Sequence, residues 1–242
     1  MRQGINTKTY SHTKLALPCL ILLSCFCRLS FADTLLLGGF NGSTSGSQYG
    51  YIGAVVPINS ALSEEGFRLR FWGNYLAYEY DQTRQIEIDA DGVGTEAALG
   101  YKWNLDQTRI TVYLGGVYRD IDLDPDDPGN STADKNFGFK SQLEIEHQIN
   151  SVWSANIIGS YTTNFDSYWS RFRPGYKLNN GLKIGPEISL LGGEVWDKQK
   201  FGAYLNGFKL GNIRVGFNAG AERSASESGV DPYAGISFSA IF

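Results

Sequence analysis

The sequence predicts an all-β fold, a closed antiparallel transmembrane β-barrel of about twelve strands that follows a cleaved signal peptide. Three observations predict it. Apolar and polar residues alternate along most of the chain, short connections alternate with longer ones, and the chain ends in an apolar row that closes on phenylalanine. Abundant glycine and aromatic residues favour strands joined by tight turns over helices.

The first 32 residues have the features of a targeting segment. They contain a basic start, an apolar stretch and a small-x-small cleavage site, which are Arg2, Lys8 and Lys14, then Leu15 to Cys27, then Ser30-Phe31-Ala32. We therefore expect residues 1–32 to be a signal peptide and residues 33–242 to form the barrel domain. Two alternatives stay open, an uncleaved anchor and a lipoprotein, since Leu22-Leu23-Ser24-Cys25 loosely resembles a lipobox.

Composition excludes several classes of protein. All cysteines, Cys19, Cys25 and Cys27, lie in the targeting segment, so the mature chain would hold no thiol. The whole chain has a net charge of −4, and cleavage would remove basic residues and no acidic ones. Such an acidic chain argues against nucleic acid as a partner, because phosphate binding needs clustered Lys and Arg. No apolar run of the mature part approaches the roughly 18 residues that a membrane helix needs.

The alternation divides the mature chain into strands, in order, each with one apolar and one polar row. In the third strand, for example, Phe67, Leu69 and Phe71 interleave with Arg68 and Arg70. The first two strands are least distinct, because apolar residues fall on both of their faces. The predicted strands are 33–41, 47–57, 66–79, 85–103, 107–119, 135–149, 151–164, 168–178, 182–192, 197–210, 212–222 and 231–242.

The connections between these strands also alternate. Even-numbered ones are short and rich in Asn and Gly, as in Asn179-Asn180-Gly181 and Leu210-Gly211-Asn212, and only 58–65 is longer. Odd-numbered ones are predicted as surface loops and include Asn41 to Gly46, the acidic Asp120 to Asp134, and Glu222 to Val230. This asymmetry is typical of a membrane barrel and has no reason to occur in an ordinary β-sandwich.

The last predicted strand carries an apolar row, Ala234, Ile236, Phe238, Ala240 and Phe242, that ends at the C-terminus. This pattern is similar to the terminal signal by which outer-membrane barrels are recognised for insertion. A soluble protein would rarely leave such an edge strand exposed, whereas barrel closure pairs every strand. We therefore expect the bacterial outer membrane as the location and its lipid as the surroundings of the barrel.

Consistent parity across the strands separates a lipid-facing row from a lumen-facing row. The candidate lumen-lining residues are charged: Arg68, Arg70, Lys140, Glu144, Arg171, Arg173, Lys183 and Glu187. In one interpretation cross-strand pairs, such as Arg171 and Arg173 against Glu187, neutralise one another and fill the interior. In the other, the arginines contact a passing anion or glycan, because guanidinium groups bind carboxylates in pairs and stack on flat faces.

The tryptophans allow two interpretations as well. Trp72, Trp103, Trp153, Trp169 and Trp196 could be platforms on which sugars stack. Membrane barrels need aromatic girdles at their two interfaces in any case, so the girdle is the default expectation.

Few residues could carry catalysis or bind a metal. His147 is the one histidine left after signal removal, and its parity places it on the outer row near a strand end. The acidic run from Asp120 to Asp127 lacks the Gly and Glu that a calcium loop requires, so a solvated acidic loop is favoured. We expect no catalytic residues, no cofactor and no metal site, and therefore no enzyme.

Two stretches resemble the BcsS family of cellulose biosynthesis proteins. They are Trp169-Ser170-Arg171-Phe172-Arg173-Pro174-Gly175-Tyr176 with Leu182-Lys183-Ile184-Gly185-Pro186-Glu187, and Gln199 to Leu205 leading to Gly207-Phe208-Lys209-Leu210-Gly211. The resemblance implies an accessory outer-membrane role in making or exporting bacterial cellulose, with cellulose or its secretion machinery as partner. Because proline removes a ladder donor, we expect Pro174 and Pro186 at strand ends or bulges. A general porin and a structural or adhesive barrel remain alternatives.

Overall fold

The computed structural model describes residues 33–82, 86–127, 134–193, 196–224 and 229–242. The predicted signal peptide lies outside the described residues, so it stays a prediction. In the described part of the chain no helix is long and apolar enough to cross a membrane.

Within the described residues twelve antiparallel strands form one closed barrel, which confirms the predicted antiparallel barrel and its number of strands. Each strand pairs with its neighbours in the chain, and the first pairs with the last. The strands are β1 (Leu35–Ser43), β2 (Gln48–Pro57), β3 (Gly66–Gln82), β4 (Ile86–Leu105), β5 (Thr108–Asp124), β6 (Asp134–Gln148), β7 (Trp153–Thr162), β8 (Ser167–Lys177), β9 (Lys183–Gly193), β10 (Trp196–Leu210), β11 (Ile213–Ser224) and β12 (Asp231–Ile241).

Pairing between β1 and β12 closes the barrel. Their register runs from Leu35 opposite Ile241 to Ser43 opposite Tyr233. Beyond the strand ends, the backbone N–H groups of Thr34 and Phe242 each donate to the other's carbonyl, at 2.9 and 3.0 Å. The apolar C-terminal strand is therefore paired on both sides, which removes the unpaired edge that lipid does not tolerate.

The barrel has two different ends. We call "turn end" the one that carries both barrel termini and the connections after β2, β4, β6, β8 and β10, and "loop end" the opposite one. Three predicted tight turns contain a residue with positive φ, namely Asp106 (46°), Gly181 (85°) and Gly211 (60°). Asp, Asn and Gly tolerate this conformation best, which explains the composition of these turns.

Strands β3 and β5 extend further toward the loop end than the sequence predicts. The predicted acidic loop from Asp120 begins later, because β5 stays paired with β4 as far as Asp124, which lies opposite Asp89. On the inner side of this extension Ile88, Ala90 and Ile121 are buried. In this extension the inner row is apolar and the outer row is acidic, which is the reverse of the barrel wall. The residues nevertheless alternate with the same period of two in both places.

The two rows of each strand separate as the parity predicts. Residues predicted to face lipid lie on the outer row, namely Leu69, Phe71, Val112, Leu114, Leu143, Ile145, Ile157, Ile184, Ile188, Leu205, Val215 and Phe217. Many of them are large exposed apolar side chains. A surface of this kind would be unfavourable in water and is suited to a lipid environment.

Candidate functional site

The barrel interior is the candidate site, because buried charged side chains lie together on its inner row. All the predicted lumen-lining residues lie on the inner row: Arg68, Arg70, Lys140, Glu144, Arg171, Arg173, Lys183 and Glu187. The structure sorts most of them into separate groups with different partners.

The first group lies on β3, β4 and β6 and centres on Glu96. Arg70 donates to Glu96 through Nε at 2.8 Å and also through its terminal nitrogen, and Lys140 Nζ lies 2.7 Å from the other oxygen. Arg70 also reaches Glu144 at 3.5 Å and lies over the Tyr113 ring, 4.2 Å from its centre. Because Arg70 and Glu96 are only 4% and 8% exposed, this group fills the interior between these strands.

Sequence reasoning missed Glu96. Between Ala90 and Gly100 its row on β4 otherwise holds small residues, including Gly92, Gly94 and Ala98, and their small side chains leave room for long charged side chains from β3 and β6. A single carboxylate in a row of small inward residues was the available signal. Its partners follow only from the register, which places Glu96 opposite Trp72 and Val117.

The second group centres on Glu187 of β9, which is 3% exposed. Arg173 Nε donates to one carboxylate oxygen, and the Asn218 amide and the Tyr233 hydroxyl donate to the other, both at 3.2 Å. The predicted pairing with Glu187 is thus right for Arg173 and wrong for Arg171. Arg171 lies opposite Ser189 in the register, and Glu187 already has partners for both oxygens.

A third group ties a loop to the inside of the barrel. Glu222 of β11 lies 2.9 Å from Lys198 Nζ and 2.6 Å from Lys200 Nζ, and it accepts from Ser45 Oγ at 3.0 Å. Lys198 also donates to Ser47 at 2.8 Å. Ser45 and Ser47 belong to the connection between β1 and β2, so this connection is held against the lumen at the loop end.

Arg68 does not act as lining for a passage. It is 1% exposed and donates to the Ser60 hydroxyl at 2.8 Å and to the carbonyls of Ala61 and Glu64 at 2.9 and 2.5 Å. Lys102 donates to the Leu62 carbonyl of the same segment at 2.8 Å. The longer connection 58–65 is therefore fixed at the turn end by two cations that bind its carbonyl groups.

Pro174 and Pro186 lie inside strands β8 and β9, and the expectation of strand ends or bulges there is wrong. Phe172 pairs with Ile188 and Tyr176 with Ile184, so the register is unbroken and the two prolines are opposite each other. Ladder pairing between β8 and β9 is interrupted only at residues 173–175 and 185–187, while β8 stays paired with β7 and β9 with β10. Both missing N–H donors thus fall in a single gap between β8 and β9.

This gap explains the glycines beside the prolines. The Pro174 carbonyl, which faces a proline and has no ladder donor, accepts instead from the Tyr204 hydroxyl at 3.2 Å. A Cβ on Gly185 would collide with that carbonyl, and one on Gly175 would collide with the Tyr204 hydroxyl. The Pro-Gly and Gly-Pro-Glu segments therefore form one packed structure, which also carries the Arg173–Glu187 ion pair.

The tryptophans divide between the two faces, so the girdle expectation holds for only part of them. Trp103 and Trp153 lie on the outer row, but Trp72 and Trp169 lie on the inner row. Trp72 stacks on Tyr51, with ring centres 4.7 Å apart and planes at 9°. The two rings lie against Gly53 and Gly39, whose missing side chains make room for them.

Tyr49 extends this inner aromatic surface toward the loop end. Its ring lies 5.9 Å from that of Tyr51, and its hydroxyl is 3.5 Å from both Trp72 Nε1 and Asn74 Nδ2. We call Tyr49, Tyr51 and Trp72 the aromatic surface of the lumen. All three rings keep part of their area accessible, so they can contact a flat ligand in the interior.

His147 and the acidic residues lie apart from these groups. His147 is on the outer row opposite Thr108, whose hydroxyl is 2.9 Å from His147 Nδ1. Carboxylate oxygens of Glu79, Glu87 and Asp89 come within 4.8 Å of one another at the loop end, where all three side chains are exposed. Exposed acidic groups of this kind are solvated and give no reason to infer a bound metal.

Comparison with known proteins gives a family and a set of similar folds. The family described as "Cellulose biosynthesis protein BcsS" matches residues 39–242. An outer-membrane channel from Pseudomonas putida F1 is similar in fold, with a TM-score of 0.62 and 13% identity over 88% of this chain and 97% of that one.

Two further solved barrels are similar at lower scores. The KdgM porin in complex with disordered oligogalacturonate has a TM-score of 0.53 and 10% identity, over 86% of this chain and 99% of that one. A deletion mutant of the monoaromatic hydrocarbon channel TodX has a TM-score of 0.56 and 8% identity, over 88% and 91%. At these identities the likeness establishes the barrel fold alone. No curated protein sequence matches the chain.

Proposed function

The chain belongs to the BcsS family of cellulose biosynthesis proteins, and we propose that it is an outer-membrane barrel that assists cellulose biosynthesis or export without catalysing a reaction. The proposal includes secretion by a signal peptide that ends at Ala32, so that the mature barrel begins at Asp33. Outer-membrane lipid would surround the outer row, and cellulose or its secretion machinery would be the partner.

One observation carries this proposal: the charged residues and the tryptophan of the stretch that resembles the family lie together on the inner row. Trp169, Arg171, Arg173 and Glu187 all point into the lumen, and Pro174 and Pro186 lie between them in the wall. The lumen is therefore the part we assign to the function.

The aromatic surface suits a glucan. The faces of β-linked glucose rings carry axial C–H groups, and such faces stack on aromatic rings. The stacked rings of Tyr51 and Trp72 keep part of their area accessible on the inner wall, while Asn156 on β7 and Gln142 on β6 carry amide groups on inner rows elsewhere in the barrel. A mixture of flat aromatic area and a few polar groups is what a binding site for a small polyhydroxylated ligand requires.

The direct test is a clean deletion of the gene in a strain that demonstrably makes cellulose, followed by complementation with the intact gene. We expect less secreted cellulose in the deletion strain, by dye binding and by glucan quantification, and recovery on complementation. Unchanged cellulose and biofilm in the deletion strain would contradict the proposal.

A second candidate function is a small-solute channel with no role in cellulose. The folds of a Pseudomonas putida outer-membrane channel and of the KdgM porin favour it. Conductance of the purified barrel in planar bilayers, together with normal cellulose output from the deletion strain, would support this alternative. A barrel that is electrically silent would remove it.

A further inference from the structure

The cations of the lumen fall into two classes, those with a carboxylate partner and those without. Those paired with a buried carboxylate are Arg70 and Lys140 with Glu96, Arg173 with Glu187, and Lys198 and Lys200 with Glu222, while Arg109 pairs with the more exposed Glu146. A cation paired in this way is part of the packed interior, and its charge is already balanced. An inner-row cation without such a partner needs another explanation.

Arg171 is the clearest case. Within the described residues it forms no ion pair, and its one hydrogen bond, to Asn156 Oδ1, is long at 3.5 Å. Its Nε is shielded from solvent and has no hydrogen-bond partner. Its guanidinium lies over the Trp169 ring, 5.4 Å from the ring centre. A shielded donor on a charged group is costly to leave unbonded, so this geometry points to a missing acceptor.

The neighbouring carboxylates cannot supply that acceptor. Glu187 is occupied by Arg173, Asn218 and Tyr233. Glu144 accepts from Gln142 at 2.6 Å and faces Arg70 at 3.5 Å. Both carboxylates lie near enough to Arg171 to interact with it through space, but neither contacts it. Arg171 therefore lies on the inner row with one unmet donor and a positive charge that no carboxylate in contact with it balances.

A second set of unmet groups lies on the other side of the aromatic surface. The buried Oδ1 of Asn74 has no donor. Arg119 of β5 forms no ion pair among the described residues, and it shares a polar pocket with Asn74 and Lys140. Tyr49 lies between this pocket and Tyr51, and Tyr51 is within electrostatic reach of Arg171.

Together these groups describe a ligand with three properties. It carries a negative charge for Arg171, a flat face for Tyr51 and Trp72, and a hydroxyl that can donate to Asn74 Oδ1. We propose that the barrel interior binds an acidic saccharide, with its carboxylate on Arg171 and a sugar ring on the aromatic surface. This goes beyond a role in cellulose, because cellulose is neutral and leaves the charge of Arg171 unmatched.

The test compares two oligosaccharides with the same β-linked backbone that differ at C6, which carries a neutral hydroxymethyl group in one and a carboxylate in the other. Purified barrel in detergent is titrated with cellohexaose and with cellohexaose oxidised to the carboxylate at every C6, and tryptophan fluorescence or calorimetry reports binding. We expect the acidic oligosaccharide to bind at least about tenfold more tightly, the scale of one charge-assisted bidentate contact. Equal affinity for the two ligands would overturn the proposal.

Variants locate the site. Arg171→Gln should abolish the preference for the acidic ligand. Arg214→Gln removes the same charge from the inner row near the turn end, where the side chain is exposed, and should keep the preference. A preference that survives in Arg171→Gln would overturn the assignment.

Two further arms complete the design. If Arg171→Gln fails to show the gel-mobility shift of a folded barrel, Arg171→Lys takes its place, and we expect it to keep the charge but lose most of the preference. Inorganic phosphate serves as competitor, and competition as strong as that of the acidic oligosaccharide would overturn the saccharide part in favour of a simple anion site. These binding results do not depend on the cellulose phenotype, so either proposal can fail alone.

Discussion

At the scale of single residues, burial decides which lumenal charges hold the barrel together. Glu187 accepts from three side chains and is 3% exposed, whereas Glu146 pairs with Arg109 at 2.7 Å while both side chains are largely in solvent, at 40% and 52% exposed. Both pairs join an arginine to a glutamate, and sequence alone does not distinguish them. The structure therefore predicts that removing the Glu187 carboxylate lowers the free energy of unfolding far more than removing the Glu146 carboxylate.

Glu187→Ala should lower the free energy of unfolding by about 3–5 kcal/mol, because Arg173 would be left charged and buried without a partner. Glu146→Ala, the matched control, should cost less than about 1 kcal/mol, because solvent screens that pair. Urea titration of the refolded barrel, followed by its gel-mobility shift, measures both. Similar midpoints for the two variants would show that the Glu187 group does not stabilise the interior.

Parity predicted which residues point inward, but not what each would contact. Alternation along β8 places Arg171 and Arg173 on the same row, and only the register with β9 separates their roles, with Glu187 opposite one and Ser189 opposite the other. Arg68 was likewise placed correctly and interpreted wrongly. Its partners belong to the 58–65 connection, whose path over the turn end leaves no period in the sequence.

At the scale of elements, the gap in the hydrogen-bond ladder between β8 and β9 is compensated by contacts within the wall. Because Pro174 and Pro186 face each other, both missing backbone N–H donors belong to the ladder between β8 and β9. The Tyr204 hydroxyl replaces the lost donor to the Pro174 carbonyl. Sequence reasoning treated each proline alone and therefore expected strand ends. The compensation depends on pairing across strands, which becomes visible only when the register is known.

Gly185→Ala should destabilise the barrel by about 1–3 kcal/mol, because the new methyl group would collide with the Pro174 carbonyl and the wall must shift. Gly159→Ala on β7 is the control, since a Cβ there meets nothing within 4 Å, and we expect little change. Urea midpoints compare the two. If the Gly185→Ala barrel were as stable as the control, the Pro174 carbonyl would not lie close over Gly185 as described.

The strand count and the alternating connections were predictable because closure imposes them on the sequence. A paired strand in lipid needs one apolar row, and the tight hairpins at Asp106, Gly181 and Gly211 need residues that tolerate positive φ. The length of β5 was not predictable in the same way. Its acidic residues after Asp120 resemble a loop, and only their pairing with β4 as far as Asp89 keeps them in a strand.

At the scale of the whole molecule, export should remove the targeting segment. We expect intact-mass spectrometry of the barrel from outer-membrane fractions to give a mature chain that begins at Asp33, because Ser30-Phe31-Ala32 fits the cleavage site. A mass that includes residues 1–32 would favour the uncleaved anchor. A mature chain that begins at a lipid-modified Cys25 would favour the lipoprotein.

The family could be inferred from the sequence because its distinctive residues are packed together in one part of the wall and interior. The ligand of the barrel could not be inferred from the sequence, since the groups that suggest it come from separate strands. These groups are Arg171, Asn74 and the aromatic surface. Trp72 and Trp169 illustrate the difficulty. As tryptophans they would suit an interface girdle. They become candidates for contact with a glycan only because they lie on the inner side of the wall.

The central claim is that the inner face of this barrel serves cellulose output, and complementation of the deletion strain tests it most directly. The strain receives the wild-type gene, a Tyr51→Leu/Trp72→Leu variant, or a Tyr101→Leu/Trp103→Leu variant. The last one removes an outer-row aromatic pair with the same 4.7 Å ring separation. With equal amounts of folded barrel in the membrane, we predict that the wild type and the outer-row variant restore secreted cellulose and that the inner-row variant does not. Full restoration by the inner-row variant would contradict the account.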